Sequence, residues 1–217
     1  MNDPFALDEE RLIAAAREAT GLEDLGDESF RPGLRALIET FTKHPFTEKG
    51  RKRNHRRLVS LLSTRLQLEE AWKKHPEVLQ RPVSRPVVLT GLPRSGTSAL
   101  FNLLAEDPAA RPLRLWEAQF PFPHEQFSVD DRGAPDPRRD MIEAYYAKGR
   151  EKNPDFTKIH FASADTPEEC VLIHAYALGG VQLGIEIFME PYASWYRVQD
   201  LLPIYTYQKK ILQLLDW

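Results

Sequence analysis

RPVVLTGLPRSGTSALFNLLAEDPAARPLRLWE, residues 85–117, is the stretch on which the reading of this chain turns. It opens with Pro86-Val-Val-Leu-Thr90, a short apolar run without alternation. Such a run fits a strand buried on both faces, as in a parallel sheet. Gly91 ends it. From about Thr97 to Ala105 the residues Leu100, Leu103 and Leu104 recur at helical spacing. Between the two lies Gly91-Leu-Pro-Arg-Ser-Gly-Thr-Ser98. A glycine-bounded loop in that position turns several backbone N–H groups into one concavity, and the helix start adds partial positive charge. Arg94 supplies charge-assisted bonds to phosphate oxygens. Thr97 and Ser98 offer hydroxyls. The expectation is a phosphate site made by Gly91, Arg94, Ser95, Gly96, Thr97 and Ser98.

The spacing is that of the nucleotide-triphosphatase loop G-x-x-x-x-G-K-[ST], except that Thr97 stands where the lysine belongs. That lysine neutralises the β/γ-phosphates, and the hydroxyl after it holds Mg²⁺. Its loss argues against an ATPase or kinase. The cation sits three residues earlier, at Arg94, which suits a donor with one phosphate bearing a transferable group.

Working outward, residues 5–80 read as helical. Leu12, Ile13 and Ala16 share a face of a first helix that Gly21 ends. A second, Ser29–Phe41, carries Leu34, Leu37, Ile38 and Phe41, with Ser29 as N-cap and Pro32 in the first turn. A third runs from about Arg51 to Lys74, with Leu58, Leu61, Leu62, Leu66, Leu68 and Trp72 as its stripe. Pro76, Pro82 and Pro86 then push the chain into extended geometry. Downstream, 120–137 reads as an exposed loop and 138–149 as a helix. Thr166-Pro-Glu-Glu169 reads as the start of a helix reaching about Leu178, with Thr166 as N-cap and Pro167 at N1. A last helix starts near Pro203.

With that context, residues 85–117 resemble the 5′-phosphosulfate-binding region of sulfotransferases, the bacterial group above all. The likeness extends upstream through HPEVLQRPVSRP and downstream through TPEEC and YQKKILQLLDW. It implies an α/β fold: a P-loop-type parallel sheet flanked by helices in residues 81–217, after a helical region in residues 1–80. It implies 3′-phosphoadenosine 5′-phosphosulfate (PAPS) as co-substrate and no metal. Arg94, Ser95, Gly96, Thr97 and Ser98 would grip the donor's 5′-phosphate. Arg94 would also approach the bridging oxygen between phosphate and sulfate.

Transfer to a hydroxyl needs a base, which typically contributes about 10²–10⁴-fold. Glu117 is the first candidate, because carbohydrate sulfotransferases carry a catalytic glutamate at a similar distance past the loop. The plain alternative is a glutamate that holds structure by pairing with a nearby arginine. His160 is second, with a suitable unperturbed pKa, and His124 third. Glu169, Cys170, Tyr192, Trp195 and Tyr196 read mainly as structural. The family's 3′-phosphate site, an arginine and a serine in an R-x-P-like context, has no counterpart after Asp107. The expectation is therefore an N-terminal portion, incomplete at the C-terminus, which binds donor weakly and self-associates through an exposed sheet edge.

Composition sets the remaining bounds. Hydrophobic residues at 42% are enough for a core. A formal net charge of −3 gives no global basic field, so no nucleic-acid partner is expected. One stretch, KGRKRNHRR at Lys49–Arg57, is strongly basic; it reads as a solvated helix face or an anion-facing surface. The longest uncharged run, Cys170–Ile185, has 16 residues, too few for a membrane span. With one cysteine and no apolar leader, a cytoplasmic enzyme is expected. The resemblance implies a small-molecule, glycan or lipid hydroxyl as acceptor. The alternatives are a P-loop kinase-like phosphoryl transferase and a non-catalytic binding module.

Overall fold

The computed structural model describes residues 5–92, 95–123, 136–159, 161–183 and 190–217. Two compact units result. The first joins Met1–Arg81 to Val171–Trp217, and the second is Pro82–Cys170. Residues 171–217, grouped by sequence with the second domain, thus pack with the N-terminal helices.

The first unit is helical for local reasons. Helix α1 (Glu9–Thr20) is capped by Asp8, whose carboxylate accepts the Arg11 N–H at 3.0 Å. It stops at Gly21, which takes the left-handed conformation at φ 68° that glycine tolerates best. Its buried face is Leu12, Ile13 and Ala16, as the spacing predicts, and it lies on α3 (Glu48–Lys74). Helix α3 starts three residues earlier than expected, because Thr47 caps it by accepting the Gly50 N–H at 3.2 Å. Helix α2 (Arg31–Lys43) is led by a 3₁₀ turn, Glu28–Phe30. Ser29 is not the N-cap; it sits inside that turn, and Asp27 accepts its N–H at 2.9 Å. Gly33 admits close contact: a Cβ there would lie 1.9 Å from the Leu178 carbonyl oxygen.

Phe30, Leu34, Leu37, Leu58, Leu62 and Leu66 form the centre of the core. Beside it Arg65 is 0% exposed. It donates to the carbonyls of Leu25 (2.7 Å), Asp27 and Tyr176 (both 3.3 Å) and lies over the rings of Phe30 and Tyr207. A buried guanidinium is tolerable only when so satisfied. The C-terminal part supplies α8 (Val171–His174), a 3₁₀ turn (Ala175–Ala177), α9 (Tyr192–Val198) and α10 (Leu202–Leu215). Gln213 of α10 donates to the Leu79 and Arg81 carbonyls at 3.0 and 2.5 Å.

The second unit holds α4 (Thr97–Leu104), α5 (Leu115–Gln119), α6 (Pro137–Lys152) and α7 (Pro154–Ile159). Two expectations are overturned here. The parallel sheet is absent: no strand occurs among the described residues, and the one β-bridge is antiparallel, Arg114 to Pro167. Pro86–Thr90 is extended but unpaired, with Val87 84% and Val88 78% exposed. A strand exists only through a neighbour that takes up its N–H and C=O groups. None of the described residues provides one. The helix expected from Thr166 is also absent before Val171. Leu115 donates to the Thr166 carbonyl (3.0 Å), Trp116 to Ala164 (3.1 Å), and Glu168 donates back to Leu113 (2.8 Å). Pairing with 113–116 thus takes up the backbone that the capping signal would have turned into a helix.

Candidate functional site

The candidate phosphate turn leads into α4. Ser95 donates its N–H to the Leu92 carbonyl at 3.2 Å, which closes the turn. Gly96, at φ 90° and ψ 10°, is the N-cap of α4 and accepts the Leu100 N–H at 3.0 Å. The left-handed angle explains why glycine stands there. Gly91 is required by proximity: a Cβ would meet Thr97 Cγ2 at 2.8 Å and Ser95 Oγ at 3.0 Å. Thr97 and Ser98 are N1 and N2 of α4. No side chain caps this end, so its first N–H groups point outward with the positive end of the helix dipole behind them. Ser95, Gly96 and Ser98 are exposed, and Thr97 half-buried. The turn therefore brings Gly91, Ser95, Gly96, Thr97 and Ser98 together. Arg94, His124 and His160 lie outside the described residues.

Glu117 is N3 of α5 and only 6% exposed. Its Oε2 accepts the Arg114 N–H at 2.8 Å, which secures the start of the helix. Arg111 grips both oxygens, Nη1 to Oε2 at 2.9 Å and Nη2 to Oε1 at 2.7 Å. An ionised carboxylate has about four lone-pair sites. Three are taken, and one on Oε1 stays open. This is a carboxylate fixed in place by a bidentate pair with one acceptor position left.

Further cations of this unit serve packing. Arg138 pairs with Asp136, donates to the Phe120 and Phe122 carbonyls and lies over Trp116 at 4.8 Å. Arg150 joins the Ala162 carbonyl to Glu143. Burial pushes the Tyr192 hydroxyl well up from its usual value; it donates to the Gly180 carbonyl at 3.0 Å, and Trp195 and Tyr196 pack on its ring. These aromatics are core. Glu168 accepts the Glu169 N–H outside any helix. Cys170 is half-buried. Among the described residues no group of three His, Cys, Asp or Glu side chains could hold a metal, and no helix is long and apolar enough to cross a membrane.

The sequence reading named Glu117 but no particular arginine as its partner. Arg111 lies six residues away, in the irregular stretch that leads into α5, where no helical spacing marks the pair.

The profile of the sulfotransferase family matches residues 86–213. Two solved structures superpose on the chain. Sulfotransferase STF1 from Mycobacterium tuberculosis H37Rv does so with a TM-score of 0.80 and 30% identity, over 97% of this chain and 58% of its own. Sulfotransferase STF9 from Mycobacterium avium gives 0.82 and 30%, over 100% of this chain and 55% of its own. The chain thus spans little more than half the length of these relatives. No curated protein matches it.

Proposed function

Because the chain belongs to the sulfotransferase family, we propose that it carries the donor-binding part of an enzyme that moves a sulfuryl group from PAPS to a hydroxyl. The observation that carries this is the start of α4, where Gly96 leaves an exposed, uncapped row of N–H groups inside the family-matched segment. Such a row suits a phosphate oxyanion. In this reading Ser95, Gly96, Thr97 and Ser98 take the donor's 5′-phosphate, with Gly91 keeping the turn tight. Arg94 adds its guanidinium at the bridging oxygen.

The reaction is a substitution at sulfur. The acceptor oxygen forms the new S–O bond. The S–O bond to the 5′-phosphate breaks, and its electron pair leaves with adenosine 3′,5′-bisphosphate. The acceptor proton passes to a base. Glu117 suits that role because one lone pair of Oε1 stays open while Arg111 and the Arg114 N–H hold the carboxylate still. His160 is the second candidate. Charge that builds on the leaving oxygen is met by Arg94 and the helix start. The acceptor is a small-molecule, glycan or lipid hydroxyl. A cytoplasmic setting fits the single cysteine.

Titration calorimetry with adenosine 3′,5′-bisphosphate tests the reading. Weak binding, unchanged by EDTA and lost in Arg94→Ala, is expected. ATP binding that needs Mg²⁺ would instead identify a phosphoryl transferase, and no heat with either nucleotide would remove the donor site.

A further inference from the structure

The basic run at Lys49–Arg57 has no part in the chemistry above. It holds six Lys or Arg residues and forms the first turns of α3. Lys49, Lys52, Arg53 and Arg56, with Glu48, line an open concavity of about 540 Å³. Their spacing puts them in one stripe on the helix surface. Lys49, Arg53 and Arg56 are exposed, and no ion pair holds them among the described residues. Lys52 pairs with Glu48 at 2.6 Å and lies over the Phe5 ring at 5.1 Å.

Folding does not ask for this arrangement. A helix start is already partly positive, so cations there are unfavourable. Like charges at i,i+4, such as Lys49 with Arg53 and Lys52 with Arg56, repel. Basic residues also stand in the first turns of α2 (Arg31) and α6 (Arg138, Arg139), but there each is paired with a carboxylate. Glu9 and Glu10 open α1, Asp140 opens α6, and basic residues close α1, α2, α3 and α6. The first turns of α3 differ in that only Lys52 of the stripe meets a carboxylate, Glu48, while Lys49, Arg53 and Arg56 have none among the described residues, and such conflicts gather at functional surfaces.

We propose that the N-terminal part of α3 docks this protein on an anionic bilayer through the phosphate and carboxylate groups of lipid heads. Charge complementarity carries the choice of partner. A helix with about four to eight Lys or Arg residues on its polar face is suited to an acidic membrane surface. The molecule as a whole is at −3, so only a partner that meets this one face gains attraction without repulsion. A flat bilayer does that. Nucleic-acid readers add aromatic platforms or amides aimed at base edges. Here the exposed residues of the stripe are all charged, and the Asn54 amide nitrogen is buried.

Co-sedimentation of the full chain with vesicles tests this. One set is phosphatidylcholine alone; the other is three parts phosphatidylcholine to one part phosphatidylserine. Binding to the acidic vesicles about tenfold or more above the neutral ones is expected, falling as salt is added. The double variant Lys49→Glu with Arg53→Glu should lose that binding while its thermal midpoint holds or rises, since the new charges suit the helix start. If that variant fails to fold, Arg53→Gln with Arg56→Gln serves, and reduced pelleting is expected. Equal binding to both vesicles, no binding to either, or unchanged binding by folded variants overturns the proposal. So does tighter uptake of duplex DNA at the same salt, lost in the same variants, which would mark a nucleic-acid face.

Discussion

Glu117 has its two oxygens gripped from two directions, and the two grips do different work. The Arg114 N–H bond belongs to the helix start, while the Arg111 fork fixes the carboxylate's rotation. Arg111→Ala leaves a nearly buried carboxylate with one partner. The expected loss is about 1–3 kcal/mol, towards the lower end because water can reach the vacated side. Urea unfolding of the single and double variants with Glu117→Gln checks it, and strict additivity would show that the pair is not coupled. At this scale the sequence told half the story. The resemblance pointed to Glu117, but a partner six residues away across an irregular stretch has no periodicity to mark it. Arg65 was not legible at all. Within α3 it looks like any exposed arginine, and only carbonyls from Leu25, Asp27 and Tyr176 make it a core residue.

Among the elements, α1 and α3 were readable because their apolar stripes recur at a fixed period over many residues and meet real partners. Pro86–Thr90 misled because an apolar run without a period says only that burial is wanted; it cannot supply the neighbouring strand. Helix α4 has the same status. None of its residues is buried, and Leu103 is 69% exposed. A helix this short gains little without packing. Its amides should exchange with deuterium far faster than those of α1, whose buried face lies on α3. Equal protection would show that α4 is covered in solution. Helices α8 and α10 carry a pH signature. His174 is buried, its Nε2 is 2.7 Å from Gln208 Oε1, and it meets the Tyr205 ring edge-on. Burial penalises the imidazolium, so its pKa lies below the ordinary 6.5, although the Gln208 bond works the other way. The unfolded chain therefore takes up this proton first. The stability it contributes is complete above about pH 6.5 and is lost as pH falls through the lower folded value. Thermal midpoints should begin to drop below about pH 6.5, and His174→Gln should flatten that first drop. Glu143, held below its usual 4.5 by the Ala164 N–H and then by Arg150, titrates in a separate, more acid window. A midpoint in the variant that falls as steeply as in the parent over the upper window would remove His174 as the cause.

The molecule combines a well-packed helical unit with one in which several large apolar side chains face water. Val87, Val88, Leu92, Leu100, Leu103 and Leu104 are all exposed in the second unit, a concentration that favours association. The expected self-association therefore rests on this apolar surface, since no sheet edge is present among the described residues. Light scattering should show the apparent mass rising with concentration, and a monomer throughout a wide range would refute it.

The first unit is also discontinuous in the chain, with Pro82–Cys170 inserted between its two parts. This sets an order of events during synthesis. As α1, α2 and α3 leave the ribosome, Arg65 has neither the Tyr176 carbonyl nor the Tyr207 ring. Those arrive only after the whole insert has been translated. Nascent helices must wait, half-finished, for α10 to close over them, and at about 5–20 residues per second that wait lasts several seconds or more. Over that interval a chaperone, rather than the chain's own core, is the natural cover for the open face of α3.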